Sequence, residues 1–153
     1  MLLADIVSPE TRSRMMSGIR GRNTRPELVV RSALHARGFR FRLHVSDLPG
    51  KPDLVFPKHR AVIQVHGCFW HRHGCAKTTT PSTNVEFWET KFRQNIERDM
   101  KTEANLEKLG WRFALIWECA LGKKAEATLI DRVEEFLLDP SIRRFEWPPR
   151  LAE

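Results

Sequence analysis

Ten consecutive residues concentrate most of the side chains that could bind a metal. The segment His66 to Cys75 holds three of the six histidines and two of the three cysteines. Zinc in proteins prefers four tetrahedral nitrogen and sulfur ligands, and Cys68, His73 and Cys75 would supply three from one tight loop. Cys119 is the remaining cysteine, so a Cys3His site would use every cysteine in the chain. The spacing predicts a closed, structural zinc site; the alternative is three thiols that bind no metal.

Two further histidines and an aspartate could do hydrolytic chemistry. His66 and His71 have no place in the predicted zinc site, and histidine exchanges protons near neutral pH. Asp53 follows a proline at the start of a short apolar run, about eleven residues ahead of a second run that ends at His66. Nucleases hold Mg²⁺ against the scissile phosphate with such a layout. The alternative for Asp53 is a turn residue at a strand edge.

Phe69 and Trp70 lie in the middle of the predicted zinc loop. A rigid loop could hold both rings outward, and proteins insert such side chains between base steps to unstack and kink DNA. The alternative, which is the commoner fate of large aromatic residues, is burial in the core.

The charge balance favours a polyanionic partner. The chain has 26 basic and 19 acidic residues and a net charge of +7, and residues 11–26 include five arginines and no acid. This excess could neutralise phosphates, or it could belong to a solvated N-terminal segment. No stretch approaches the roughly 18 apolar residues that a membrane span needs, and cysteines beside histidines are typical of a reducing compartment. We therefore expect a cytoplasmic, nucleoid-associated protein with no membrane partner.

Hydrophobic periodicity predicts the elements that position these residues. Phe39, Phe41 and Leu43 alternate with polar residues as in a strand, whereas Trp88, Phe92, Ile96 and Met100 recur at helical spacing. Capping signals open helices at Ser8 and at Thr24, where Glu27 completes a capping box, and Leu129, Val133 and Leu137 form one stripe. We predict helices at 8–19, 24–38, 84–109 and 125–138, strands at 39–43, 53–56, 61–65 and 111–117, and an irregular tail containing Pro140, Pro148 and Pro149. The pattern indicates an α/β fold.

These motifs together resemble the very short patch repair (Vsr) DNA mismatch endonuclease family. The resemblance runs from about Thr11 to Phe136, and its most specific part is the run His-Gly-Cys-Phe-Trp-His at residues 66–71. The supporting motifs, in order, are Thr11-Arg12-Ser13, Met15-Met16, Glu27, Leu48-Pro49-Gly50-Lys51-Pro52-Asp53, His73, Cys75, Glu86-Phe87-Trp88, Asn95, Glu97-Arg98-Asp99, Leu109-Gly110-Trp111 and Trp117-Glu118-Cys119-Ala120-Leu121.

The resemblance implies a PD-(D/E)XK-type nuclease core, a mixed central sheet flanked by helices, with a structural zinc site of Cys68, His73, Cys75 and Cys119. It implies a DNA-contacting arm at 1–22, an endonuclease domain at 23–138 and an irregular tail at 139–153. Gln64 and His66 stand where the general core has an acid and a lysine, so metal binding would depend on Asp53, a backbone oxygen and waters. That oxygen would be the carbonyl of Val65, where relatives often carry threonine.

The resemblance also implies roles for individual residues. Asp53 would hold Mg²⁺, His71 would activate water, His66 would support the phosphate or the metal-bound waters, and Glu27 would orient one of these histidines. The residues implied to contact DNA are Arg12, Arg14, Met15, Met16 and Ile19 from the first helix, Phe69, Trp70 and Trp88 as wedges, and Lys91 and Asn95 at base edges.

The implied function is strand-specific, Mg²⁺-dependent nicking of double-stranded DNA 5′ to the thymine of a T:G mismatch, by a monomer that could also contact mismatch-repair proteins. Two alternatives remain open. One is a zinc-braced DNA-binding module without activity, and the other is a related nickase with a different mismatch or sequence specificity.

Overall fold

The computed structural model describes residues 23–122 and 125–149. The predicted first helix at 8–19, with Arg12, Arg14, Met15, Met16 and Ile19, lies outside the described residues. Among the described residues, no helix combines the length and the apolar character needed to cross a membrane.

A five-stranded mixed sheet forms the centre of the described part. The order in space equals the order along the chain; the first three strands are antiparallel neighbours, and the third, fourth and fifth run parallel. Each parallel pair is joined by a crossover that contains a helix. The strands are β1 (Arg42–Leu43), β2 (Leu54–Phe56), β3 (Ala61–His66), β4 (Arg112–Trp117) and β5 (Arg144–Trp147).

Helices cover both faces of this sheet. They are α1 (Arg25–Ala36), α2 (Cys68–His71), α3 (Val85–Lys108) and α4 (Ala127–Leu138). Alternate strand residues divide between two cores: Ile63 and Ile116 pack with α1 and α4, whereas Val62 and Leu115 pack with Leu106 of α3. The alternation follows from the two-residue period of a strand, and it explains why β3 and β4 are apolar on both sides.

The predictions for the long and last helices are confirmed to within two residues. Asn84 precedes α3, and Gly110 follows it with φ +85°, a conformation that glycine adopts without strain. Leu129, Val133 and Leu137 of α4 are all buried, as their spacing predicted.

Two local predictions were wrong. The strand expected at 39–43 is reduced to Arg42–Leu43, although Phe39 is buried. The predicted capping box does not form, since Thr24 makes no side-chain cap and Glu27 turns into the interior.

The expectation of an irregular tail at 139–153 was also wrong, because residues 144–147 form β5 and pair in parallel with β4. Pro140, Pro148 and Pro149 flank the strand and do not interrupt it, as expected of a residue that cannot donate to a ladder. The sheet therefore extends beyond the predicted domain end at residue 138.

Candidate active site and metal centre

An open cleft of about 1030 Å³ runs across the carboxyl end of β3. It is lined by residues of α1, the loop before β2, β3, α2 and α3, and these include the predicted Glu27, Asp53, Val65, His66 and His71. Exposed cationic side chains, Arg25, Lys51 and Arg98, also line it. The cleft therefore combines acidic and histidine side chains with cations that could meet phosphates.

Asp53 is held at the wall of the cleft by two hydrogen bonds to β3. The Val65 amide donates to Asp53 Oδ2 at 2.8 Å, and the Asp53 amide donates to Gln64 Oε1 at 3.2 Å. The antiparallel register that pairs Leu54 with Ile63 brings these residues opposite each other. The sheet thus presents the carboxylate in one orientation.

Asp53 shares its site with Glu27 and His44. Suitable ligand atoms of the three residues lie within 4.8 Å of one another, and Arg31 donates to Glu27 Oε2 at 3.0 Å. Burial raises the pKa of Asp53 to about 7; the Val65 amide opposes the rise and the neighbouring Glu27 carboxylate adds to it. Two carboxylates this close, Glu27 buried and Asp53 half-buried, favour a bound cation, so this cluster could hold a divalent metal.

His71 and His66 form a second cluster in the same cleft, with Asp99 of α3. The two imidazole rings stack with centroids 3.8 Å apart and planes 11° apart. His71 Nδ1 lies 2.6 Å from Asp99 Oδ2, and because a carboxylate only accepts, the imidazole donates. This contact fixes the tautomer and leaves Nε2 of His71 able to accept a proton.

Cys68, His73, Cys75 and Cys119 are brought together, as predicted. Their ligand atoms lie within 4.8 Å of one another, and His73 Nδ1 is 3.4 Å from Cys119 Sγ and 3.8 Å from Cys68 Sγ. A tetrahedral zinc ion would place a thiolate and an imidazole nitrogen about 3.6 Å apart. The four residues therefore fit a closed metal site of the size that zinc requires.

The outer contacts of this cluster also suit a metal. His73 Nε2 lies 3.1 Å from the Pro148 carbonyl, so Nε2 carries the proton and Nδ1 is left as the ligand. Burial raises the pKa of the Cys68 thiol. For Cys75, burial is outweighed by hydrogen bonds from His73, the Lys77 amide and Thr78, which lower its pKa to about 6.

The aromatic residues form a partly exposed platform at the cleft. Phe69 packs edge-on against Trp70, Trp88 and Phe92, with centroids 5.1 to 5.7 Å apart. Phe69, Trp70 and Trp88 are half-buried. They are therefore neither buried in the core nor held fully outward, the two alternatives that the sequence offered. Of the three, Phe69 and Trp70 line the cleft.

The two residues expected at base edges differ in their surroundings. Lys91 is half-buried, whereas Asn95 is 6% exposed and its Nδ2 donates to the Trp70 carbonyl at 3.1 Å. Asn95 therefore positions the aromatic platform, and its predicted contact with bases stays a prediction.

Sequence reasoning missed His44 and Asp99. Glu27 Oε2 lies 2.9 Å from His44 Nε2, a contact that was not predicted, and the expected role of Glu27 in orienting His66 or His71 stays a prediction. Asp99 contacts His71. Asp99 carried a signal, because it lies in the Glu97-Arg98-Asp99 motif of the resemblance, whereas nothing in the sequence distinguished His44.

Comparison with known proteins identifies relatives along most of the chain. The sequence model of the DNA mismatch endonuclease Vsr family matches residues 4–77. The chain is 46% identical to the Type II nicking enzyme V.XorIIP of Xanthomonas oryzae. The match extends over 139 residues and covers 91% of this chain and 100% of that protein. It is 41% identical over 138 residues to the DNA mismatch endonuclease Vsr of Escherichia coli K12, covering 88% of each. It is 42% identical over 123 residues to the Type II nicking enzyme V.NmeAIP of Neisseria meningitidis, covering 80% of this chain and 88% of that protein.

Proposed function

Since this chain belongs to the DNA mismatch endonuclease Vsr family and is a DNA endonuclease, we propose that it nicks double-stranded DNA 5′ to the thymine of a T:G mismatch in a Mg²⁺-dependent reaction. The observation that carries the proposal is the meeting of Asp53 and the His71–Asp99 pair in one cleft beside an aromatic platform. A bound Mg²⁺ would stabilise the negative charge that develops on the phosphoryl oxygens and the leaving 3′ oxygen.

The chain's own residues divide the remaining work. Asp53, whose Oδ2 is held by the Val65 amide, would be the acidic ligand of the divalent ion, and the Val65 carbonyl would be the backbone ligand. His71 takes the proton of the attacking water at Nε2, because Asp99 holds the imidazole in that tautomer. His66 supports the phosphate from its stacked position beside His71. The product is a nick with a 5′ phosphate.

Mismatch selectivity arises from the cost of deforming the duplex. Phe69, Trp70 and Trp88 are the wedge, and a wobble pair is easier to unstack than a Watson–Crick pair. Lys91 and Asn95 lie on α3, the helix that carries Trp88, where they would contact base edges. Arg12, Arg14, Met15, Met16 and Ile19 complete the contacts from the arm at 1–22.

Cys68, His73, Cys75 and Cys119 would hold a zinc ion, which would restrain the wedge and the catalytic histidine. Cys68 and His71 are the first and last residues of α2, so a metal on Cys68 restrains the helix that also carries Phe69 and Trp70. The mixed sheet with helices on both faces agrees with a PD-(D/E)XK-type core in which Gln64 and His66 replace an acid and a lysine. The protein acts as a cytoplasmic monomer on the nucleoid, with mismatch-repair proteins as further partners.

A nicking assay with every mismatch in varied flanking sequences tests the proposal. The wild type should nick T:G duplexes when Mg²⁺ is present and should not nick them without a divalent ion. Asp53→Ala and His71→Ala should reduce nicking below detection while the DNA dissociation constant and the melting temperature change little, and the exposed His35→Gln is the matched control. If Asp53→Ala nicked at the wild-type rate, the assignment of Asp53 as the ligand of Mg²⁺ would be refuted.

The same assay distinguishes a related specificity. Several relatives are named Type II nicking enzymes, which favours a nickase with another mismatch or sequence preference as the second candidate. Preferred cleavage of a mismatch other than T:G, with the same dependence on Asp53 and His71, would establish that alternative. A non-catalytic DNA-binding module has no support from the named relatives, which are endonucleases and nicking enzymes.

A further inference from the structure

His44 places an imidazole nitrogen beside two carboxylates of the cleft, the buried Glu27 and the half-buried Asp53. Its side chain is 8% exposed, and Nε2 lies 2.9 Å from Glu27 Oε2 and 3.8 Å from Asp53 Oδ1. Despite these distances, Nε2 has no hydrogen-bond partner within the part of the chain that the structure describes. The contact with Glu27 Oε2 has the distance of an ion pair without the geometry of a hydrogen bond. A buried nitrogen in this condition is costly unless it binds something other than the described residues, and a metal ion is such a partner.

We propose that Glu27, His44 and Asp53 form a mixed imidazole–carboxylate site that prefers a divalent transition ion, such as Mn²⁺, to Mg²⁺. The inference deepens the proposed function and rests on it in one respect, the assignment of Asp53 to the divalent ion. It adds a nitrogen ligand, and with it a preference among ions.

The distances suit such a site. Ligand atoms about 2.1 Å from one ion are about 3.0 Å apart in an octahedron and about 3.4 Å apart in a tetrahedron. His44 Nε2 lies 2.9 Å from Glu27 Oε2, just below this range, and 3.8 Å from Asp53 Oδ1, just above it. Because the Val65 amide binds Asp53 Oδ2, the carboxylate keeps its other oxygen towards His44.

The ligand types decide which ions the site prefers. Mg²⁺ takes oxygen ligands and demands near-ideal octahedral geometry, whereas imidazole suits the first-row transition ions. Thiolates select softer ions, so Mn²⁺ should report on the carboxylate–imidazole site without entering the cysteine cluster.

The competing explanation is that His44 is only an ion-pair partner of Glu27. Arg31 already donates to the same Glu27 oxygen at 3.0 Å, and a protonated His44 would add a second cation to that oxygen. The two explanations differ in one observable, which is a nitrogen ligand on the bound ion.

The experiment uses the full chain with zinc bound, without DNA, titrated with Mn²⁺. Continuous-wave EPR counts free Mn²⁺ and gives the dissociation constant, while pulsed EPR detects ¹⁴N coupling from a coordinated imidazole. We expect ¹⁴N modulation in the wild type. His44→Gln should remove it and weaken Mn²⁺ binding by roughly ten- to a hundredfold, whereas the exposed His35→Gln and the neighbouring His66→Gln should retain it.

Absence of ¹⁴N modulation from the wild type would overturn the inference whether or not any variant folds. Modulation that survives in His44→Gln and disappears in His66→Gln would overturn it too, because the nitrogen would then come from the other cluster. Either result leaves the proposed function standing if Asp53→Ala still abolishes Mg²⁺-dependent nicking. Loss of that dependence on Asp53 would instead refute the shared premise.

Discussion

The contact between His71 and Asp99 gives the sharpest prediction about catalysis. Asp99→Asn keeps the size of the side chain but removes the charge from a 2.6 Å hydrogen bond whose partners are 27% and 23% exposed. A hydrogen bond to a charged group contributes about 1.5 to 3 kcal/mol. At about 1.4 kcal/mol per tenfold in rate, its loss should slow nicking roughly ten- to 150-fold.

Single-turnover nicking of a mismatched duplex measures this rate without interference from product release. The dissociation constant for DNA should change little, because Asp99 acts on the orientation and tautomer of His71. The melting temperature should fall by several degrees at most, because the same hydrogen bond also stabilises the fold. Glu97→Gln, an exposed substitution in the same helix, is the charge-matched control and should behave as the wild type. A rate for Asp99→Asn within twofold of the wild type, or an equal loss in Glu97→Gln, would refute the reasoning.

Three further predictions concern stability. Cys119→Ser should lose the metal and lower the melting temperature by roughly 10 °C or more, because metal binding is folding free energy; metal analysis with thermal melts checks this, and a metal-free variant of unchanged stability would count against the cluster. Gly50→Ala should destabilise by about 1 to 3 kcal/mol in urea unfolding, since φ is +71° and the new methyl would collide with Thr102; Thr102→Ser should restore part of this, whereas Gly122→Ala, with open space around it, should be neutral. Arg112→Met should cost about 3 kcal/mol, because the buried guanidinium donates to the Phe136, Leu137, Ile142 and His59 carbonyls; an equal effect of the exposed Arg93→Met would contradict that account.

The elements that the sequence predicted well are those whose signals are local. The stripe on α4 and the end of α3 at Gly110 depend on residues within a few turns, and both are confirmed. The cysteine cluster was predictable because three of its ligands lie in one short loop and only one cysteine remained to complete it.

The interactions that sequence reasoning missed join distant segments. His44 meets Glu27 because it follows β1, which pairs with β2 and sets His44 beside Asp53, and His44 itself has φ +49°. Strand β5 is short and lies among prolines, so the sequence gives no sign of it. The strand is defined by its backbone pairing with β4. Such contacts are decided by tertiary packing, which overrides the weak local preference of each segment.

Both clusters depend on the register of one strand, β3. Its parallel pairing sets His66 opposite Trp117, so Cys68 and Cys119, each two residues further on, leave the sheet at the same edge. Its antiparallel pairing with β2 sets Asp53 against Gln64 and Val65. A slip of one residue would turn every side chain of β3 to the other face and would separate the ligands of both clusters together. Because a closed tetrahedral site tolerates little displacement of its ligands, a metal held by the cysteines would also select the register that brings Asp53 and His71 into one cleft.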